Sequence, residues 1–156
     1  MTPGSLVSQY RRNTSIVERQ CQGLTHEQAL FQAPYNINCM NWVVGHILVG
    51  RDSVLNCLGA APIFTEFART YLRESEKIIE DGPGVAPLEV LIALMIQSGR
   101  QLGEALASTN TTLLQEEDDE GHTLLSKIRF DLWHETYHTG QTDLLRQISG
   151  MDDHII

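Results

Sequence analysis

The stretch TLLSKIRFDLWHETYHTGQTDLLRQIS, Thr123–Ser149, has the composition of one long helix. It contains no proline and one internal glycine, Gly140, and it is followed by Gly150, a residue well suited to end a helix. Near its middle lies HETYH, whose histidines are His134 and His138. A four-residue helical step turns the second imidazole only about 40° from the first, so the two share one face. Two imidazoles so placed can bind one divalent metal ion.

The same spacing, HExxH, is the signature of a class of zinc proteases that use two histidines as ligands and the glutamate as general base. Those enzymes need a third protein ligand, commonly downstream. After His138 the chain offers only Asp143, Asp152, Asp153 and His154. The first lies on the same predicted helix and the others in a short tail, so none is suited to complete the site. We also expect no room for a peptide-binding cleft, and therefore no peptide hydrolysis.

A better third ligand lies upstream, in the segment NWVVGHIL, Asn41–Leu48. His46 lies there in an apolar run that is compatible with a helix. Burying an unpaired imidazole costs free energy, so this histidine needs either a polar partner or a ligand role. A core histidine bonded to a backbone carbonyl is one explanation. Together with His134 and His138, a three-histidine site is favoured, and it would leave an open coordination position, as catalytic zinc sites do.

These motifs resemble those of the DinB superfamily, which includes the YfiT-like proteins. The matching residues are Trp42, Gly45, His46 and Ile47, then His134, His138, Gly140, Gln141, Leu144, Leu145, Arg146 and Gly150. The resemblance covers nearly the whole chain in length and helix order. It implies an all-α four-helix bundle with up-down-down-up topology. It also implies a divalent metal ion, zinc or nickel, held by His46, His134 and His138.

Characterised members of that superfamily are similar to thiol-dependent transferases and isomerases that use bacillithiol, mycothiol or glutathione. The resemblance thus implies a metal-dependent enzyme that transfers a low-molecular-weight thiol to an electrophilic small molecule. The thiol would belong to a cosubstrate, since neither histidine motif contains a cysteine. Two alternatives are a metal-binding stress or interaction protein without turnover and a metal-dependent hydrolase of small molecules. No residue identifies the metal, the thiol or the electrophile.

Several neighbours share or adjoin the histidine face. Gln141 and Asp131 each lie about one turn from a histidine, where they could fix an imidazole tautomer or merely face solvent. Glu135 is offset from that face and is expected at the surface, with a role as base for a metal-bound water as the alternative. Gly50, one turn after His46, leaves room beside a metal or allows close helix packing.

An aromatic stripe, formed by Phe130, Trp133 and Tyr137, adjoins the histidine face. Such a stripe is usually core or a dimer interface, and less often the wall of a substrate site. A four-helix domain with this spare apolar surface predicts a homodimer. The remaining histidines, expected to be solvated because their sequence neighbours are polar, are His26, His122 and His154.

Length, charge and composition argue against several kinds of partner and location. We expect the 156 residues, 1–156, to form one domain. A net charge of −9 argues against nucleic acid and anionic membranes as partners, because both require clustered cations. The longest strongly apolar run, Val90–Ile96, is far shorter than a membrane span, and the N-terminus lacks the apolar core of a secretion signal. The three cysteines form no CxxC, which favours reduced thiols and a cytoplasmic location.

Helical patterns dominate the rest of the chain, and no strand pattern recurs. We expect the third helix to be capped by Asn38 and the acidic run Glu116–Glu120 to lie in a solvated loop. The predicted helices are residues 5–22, 25–32, 39–58, 68–80, 87–107 and 123–149.

Overall fold

The computed structural model describes residues 1–153 and residue 155. Within that part the chain is all-helical and contains no strand, apart from an isolated bridge between Glu117 and Thr123. Short 3₁₀ turns occupy Ala68–Tyr71 and Leu113–Gln115. The α-helices are α1 (Pro3–Cys21), α2 (His26–Ala29), α3 (Met40–Cys57), α4 (Leu88–Ser108) and α5 (Leu124–Ile148).

Side-chain caps begin three of these helices. Thr2, Thr25 and Thr123 each accept a hydrogen bond from the backbone N–H three residues later, which satisfies a donor that the first turn leaves unpaired. The prediction that Asn38 caps α3 is wrong, because Cys39 holds that position and makes no side-chain bond. The first turn of α3 is buried, so packing rather than a cap sets where that helix begins.

The connector between α3 and α4 is mostly irregular, and the predicted helix over 68–80 is wrong. Only Ala68–Tyr71 forms a helical turn. Tyr71 is fully buried, and its hydroxyl donates to Asn41 on α3 at 2.8 Å. Glu74 then adopts a φ of 66°, in the left-handed region, which ends any right-handed helix. A long-range contact therefore overrides the local helical preference of this segment.

The four long helices form a bundle in which α1 runs parallel to α5, and α3 parallel to α4. The α1–α5 hydrogen-bonded pairs are Tyr10–Ile128, Asn13–Thr136 and Gln20–Asp143. On α3, Asn41 bonds to Ala86, which lies just before α4, and Arg51 bonds to Met95 on α4. Along both interfaces, residue numbers increase in the same direction on the two contacting helices. The helices of each pair are therefore parallel.

The other two interfaces are antiparallel. On α1 and α4, Thr14 lies beside Gly99 whereas Val7 lies beside Gly103. On α3 and α5, the contacting pairs are His46–His138 and Arg51–Glu135. These directions give the order up, down, down, up for α1, α3, α4 and α5, so the predicted all-α bundle and its topology are confirmed.

The core has two apolar clusters with a polar layer between them. One cluster includes Val44, Leu48 and Leu91, and the other includes Leu6, Leu55 and Leu102. None of the described helices is both long enough and apolar enough to cross a membrane.

Between the two apolar clusters lies the guanidinium of Arg51, whose residue is only 1 % exposed. It donates to both carboxylate oxygens of Glu135 at 2.9 and 2.8 Å. It also donates to the Met95 carbonyl and to the hydroxyls of Ser98 and Thr14. One side chain thus links all four long helices, and each of its donor nitrogens has an acceptor.

Candidate metal centre

The antiparallel contact of α3 and α5 places His46 opposite His134 and His138. The His46 ring centroid lies 5.2 Å from that of His134 and 4.9 Å from that of His138, and the latter two centroids are 4.5 Å apart. One nitrogen atom from each ring falls within 4.8 Å of the other two. The structure therefore brings together all three predicted ligands, close enough to bind a metal ion.

Hydrogen bonds set the tautomers of two of these rings. The Nδ1 of His46 lies 2.7 Å from the carbonyl oxygen of Tyr71, and the Nδ1 of His138 lies 2.7 Å from Oε1 of Gln141. Since both oxygens can only accept, each Nδ1 carries the proton and each Nε2 keeps its lone pair. Ligand histidines in metal sites are oriented by such bonds. The predicted contact between Gln141 and a histidine is confirmed.

The remaining nitrogens suit a cation. The Nε2 atoms of His134 and His138 face each other at 3.1 Å. Two ligands of a tetrahedral zinc ion, with zinc–nitrogen bonds of about 2.0–2.1 Å, lie about 3.3 Å apart. Facing lone pairs at this distance repel one another unless a proton or a cation lies between them. Donor type, donor number and spacing all fit a divalent ion such as zinc or nickel.

The electrostatics of the site favour neutral imidazoles. Burial lowers the pKa of His46, His134 and His138, for the last of these to about 4. The positive charge of Arg73 lowers the pKa of His46 and His134 further. All three rings are therefore deprotonated near neutral pH, in the form that binds metals.

Two residues of the α3–α4 connector support the site, and sequence reasoning missed both. Tyr71 provides the carbonyl that holds His46. Ser75 accepts a hydrogen bond from the indole N–H of Trp42 at 2.9 Å, and the Trp42 ring stacks on His46 with centroids 4.5 Å apart. A backbone carbonyl carries no sequence signal, and the irregular connector has no periodicity, so neither contact could be read from the chain.

A cleft of about 800 Å³ opens over the three histidines. The aromatic stripe, Phe130, Trp133 and Tyr137, lines one wall and is 62 %, 61 % and 57 % exposed, so of the two places expected for it the core is wrong. These residues lie on the outward face of α5, where they can form a substrate wall or meet a second copy of the chain. Gly50 also lines the cleft, and a Cβ there would meet nothing within 4 Å. It leaves room beside the histidines rather than packing against a helix.

The two nearby carboxyls differ from expectation. Asp131 lines the cleft, and burial, with a smaller effect of Glu135, raises the pKa of its carboxyl to about 6. Among the described residues, no hydrogen bond joins Asp131 to a histidine, so of the two predicted partners only Gln141 fixes a histidine tautomer. Glu135 is 4 % exposed, and the surface position expected for it is wrong. Both its oxygens are bound by Arg51, which leaves it unsuited to serve as a base at the histidines.

The other candidate residues lie elsewhere. His26 is not solvated as expected: its Nδ1 accepts from the Leu88 N–H at 3.2 Å and caps the first turn of α4, which has no other side-chain cap. His122 is exposed, as expected. Asp153 binds Arg146 and Asp143 binds Gln20, so neither belongs to the histidine cluster. The expectation for His154 lies outside the described residues.

Comparison with known proteins adds information about the fold only. No model of a known family matches the chain, and no curated protein sequence matches it. Among solved structures, the chain is similar to that of a conserved protein from Enterococcus faecalis, with a TM-score of 0.75 and 16 % sequence identity. The similarity covers 96 % of this chain and 98 % of that one. At this identity it shows a shared helical fold and no shared activity.

Proposed function

We propose that the protein is a metal-dependent enzyme of the DinB type that transfers a low-molecular-weight thiol to an electrophilic small molecule. Its metal, zinc or nickel, would be held by His46, His134 and His138. The observation that carries the proposal is the convergence of three neutral imidazoles at the base of an open cleft. Three protein ligands leave a position for a substrate, which distinguishes catalytic from structural metal sites.

A divalent ion bound there would supply Lewis acidity and lower the pKa of a thiol at its open position. The Tyr71 carbonyl holds His46 by its Nδ1, and the Gln141 side chain holds His138 by its Nδ1, which leaves the Nε2 of both rings able to bind a metal. The aromatic stripe gives an apolar electrophile a wall on which to lie. The cleft volume, about 800 Å³, is within the range of small-molecule sites.

The thiol comes from a cosubstrate rather than from the chain. Cys21 and Cys39 are buried, and burial raises the pKa of both thiols, for Cys21 to about 12. Such thiols are unreactive near neutral pH. Cys57 is exposed but does not line the cleft. A small-molecule thiol such as bacillithiol, mycothiol or glutathione is therefore the proposed nucleophile.

Metal content of single variants tests the ligand set. Elemental analysis of purified protein should give about one divalent ion per chain, and replacing His46, His134 or His138 with alanine should remove it. His122→Ala, which changes an exposed histidine outside the cleft, should keep full occupancy. Full occupancy after the loss of any one cluster histidine would count strongly against the site.

Turnover then tests the reaction. Metal-loaded protein should convert a panel of electrophiles with at least one of bacillithiol, mycothiol, glutathione and cysteine. Chelation should abolish the rate, and zinc or nickel should restore it. Stoichiometric metal without a rate for any thiol would replace the transferase with a metal-binding role.

We also propose that the protein forms a homodimer. The exposed aromatic stripe provides apolar surface that a second copy could cover. Sedimentation at micromolar concentration should give twice the mass of the chain, and a clean monomer would remove the idea. A cytoplasmic location remains part of the same proposal.

A further inference from the structure

The cleft over the histidines carries one charge of each sign. Among the described residues that line it, Arg73 is the only lysine or arginine and Asp131 is the only acidic residue. The chain as a whole has a net charge of −9, which repels small anions. A cation at the mouth of this cleft would therefore change which ligands can enter.

The backbone that carries Arg73 is anchored on both sides to the histidine site. On one side, the Tyr71 carbonyl accepts the hydrogen bond from His46. On the other side, Ser75 accepts from the indole of Trp42, and its own hydroxyl donates to the Thr70 carbonyl at 2.8 Å. These bonds hold the turn against the two residues that stack at the base of the cleft.

The turn itself is tight. The Ser75 N–H donates to the Leu72 carbonyl at 3.1 Å, and Glu74 takes the left-handed φ of 66°. A residue with a side chain pays roughly 1–2 kcal/mol in that region. The hydrogen bonds of Ser75 on both its backbone and its side chain fix this turn, and Arg73 within it lines the cleft.

The guanidinium of Arg73 is free to bind a ligand. Its side chain is 89 % exposed, and its nearest acidic group, Glu74, lies 3.9 Å away with a side chain that is 85 % exposed. That separation is longer than a hydrogen bond, and exposed pairs of this kind contribute little. The positive charge of Arg73 nevertheless acts on two of the histidines, because it lowers the pKa of His46 and His134. Arg73 thus lies near the proposed metal position without a strong partner of its own.

We propose that Arg73 binds the carboxylate of the thiol cosubstrate and makes the site selective for anionic thiols. A guanidinium can hold a carboxylate through two parallel hydrogen bonds, which orients the ligand as well as attracting it. A thiol bound in this way would direct its sulfur toward the three histidines. This inference rests on the proposed function and specifies its substrate class: thiols that carry a carboxylate, such as glutathione, and not neutral thiols such as mycothiol.

Binding of two small probes to zinc-loaded protein tests the inference without requiring turnover. The probes are 3-mercaptopropionate, which carries a carboxylate, and 2-mercaptoethanol, a neutral thiol of similar size. Calorimetry should show about two- to fivefold tighter binding of the anionic probe, the size expected of an ion pair with an exposed guanidinium. Added salt should reduce this preference, because the guanidinium is exposed.

Variants assign the preference to one residue. Arg73→Ala should bind the two probes equally, and Arg73→Lys should recover part of the preference for the anionic probe. Arg69→Ala is the matched control: it removes the same charge from the same connector but does not line the cleft, and it should behave as the unmodified protein does.

The outcomes separate the two proposals. If both thiols bind the zinc-loaded protein and Arg73→Ala does not change their ratio, the role of Arg73 is wrong and the proposed function stands. If Arg69→Ala abolishes the preference as fully as Arg73→Ala, the effect is one of overall charge, and the inference is again wrong. If neither thiol binds zinc-loaded protein, the proposed function itself fails and the inference fails with it.

Discussion

Two polar groups join the same pair of helices, α3 and α5, and they differ in how completely they are satisfied. Arg51 and Glu135 are buried, and every donor nitrogen of the guanidinium has an acceptor within the bundle. Two of the three histidines are bonded through Nδ1, but the Nε2 atoms of His134 and His138 face each other at 3.1 Å beneath the cleft. A closed network marks a structural group, whereas convergent lone pairs mark a ligand site.

The contrast is sharpest between neighbouring residues in the sequence. His134 and Glu135 are adjacent on α5, yet one faces the open cleft and the other the closed core. The HExxH pattern therefore has two independent parts in this protein. Its histidines belong to the proposed metal site, and its glutamate belongs to the ion pair that holds the bundle together.

The largest effect should come from breaking the closed network. Glu135→Leu leaves the Arg51 charge buried without a partner, which should lower the free energy of unfolding by about 3–5 kcal/mol. Denaturant unfolding of the metal-free protein measures the change. The double variant Arg51→Met with Glu135→Leu removes both charges and should recover most of the loss. A single variant as stable as the unmodified protein would show that the pair is not essential to the bundle.

A smaller effect is expected when the histidine site loses one of the hydrogen bonds that orient its rings. Gln141→Ala removes the acceptor that orients His138, and metal affinity should fall by about 10–100-fold. Competition with a coloured chelator gives the dissociation constant. Gln147→Ala changes an exposed glutamine on the same helix, which bonds to Asp143, and should not alter metal affinity. Equal metal affinities in the two variants would show that Gln141 does not support the metal site.

The smallest net effect is the pH dependence of metal-free stability, because two residues of the cleft act in opposite directions. The pKa of His138 is about 4 in the folded protein against 6.5 in the unfolded chain, so the unfolded chain binds more protons between these values. Its contribution to stability is present above pH 6.5 and is lost as the pH falls toward 4. The pKa of Asp131 is about 6 against 3.8, so its contribution is lost as the pH rises through that window.

Unfolding at several pH values between 4 and 7 separates the two residues. Each can change the slope by at most about 1.4 kcal/mol per pH unit. Asp131→Asn should make stability fall more steeply on acidification, and His138→Gln should make it fall less steeply. Changes of the opposite sign in either variant would contradict the burial of these groups.

Sequence alone determined the long helices and the three histidines. Helix boundaries depend on caps, glycine, proline and apolar spacing, all of which act within a few residues, so the ends of α1, α3, α4 and α5 could be predicted closely. The ligand prediction was also local in part, because the four-residue spacing places His134 and His138 on one face of a helix. His46 was added by its apolar surroundings and by the resemblance to a family.

Tertiary structure alone decided which side chains those elements bring together. The burial of Glu135 depends on Arg51, and the position of Arg73 depends on a connector held by Tyr71 and Ser75. Each of these contacts joins residues far apart in the chain, and no periodicity records them. An ion pair needs both partners at the same depth, and a backbone carbonyl has no side-chain identity. Only the packing of the helices could therefore show which polar groups have all their hydrogen bonds made within the bundle and which can still bind a ligand.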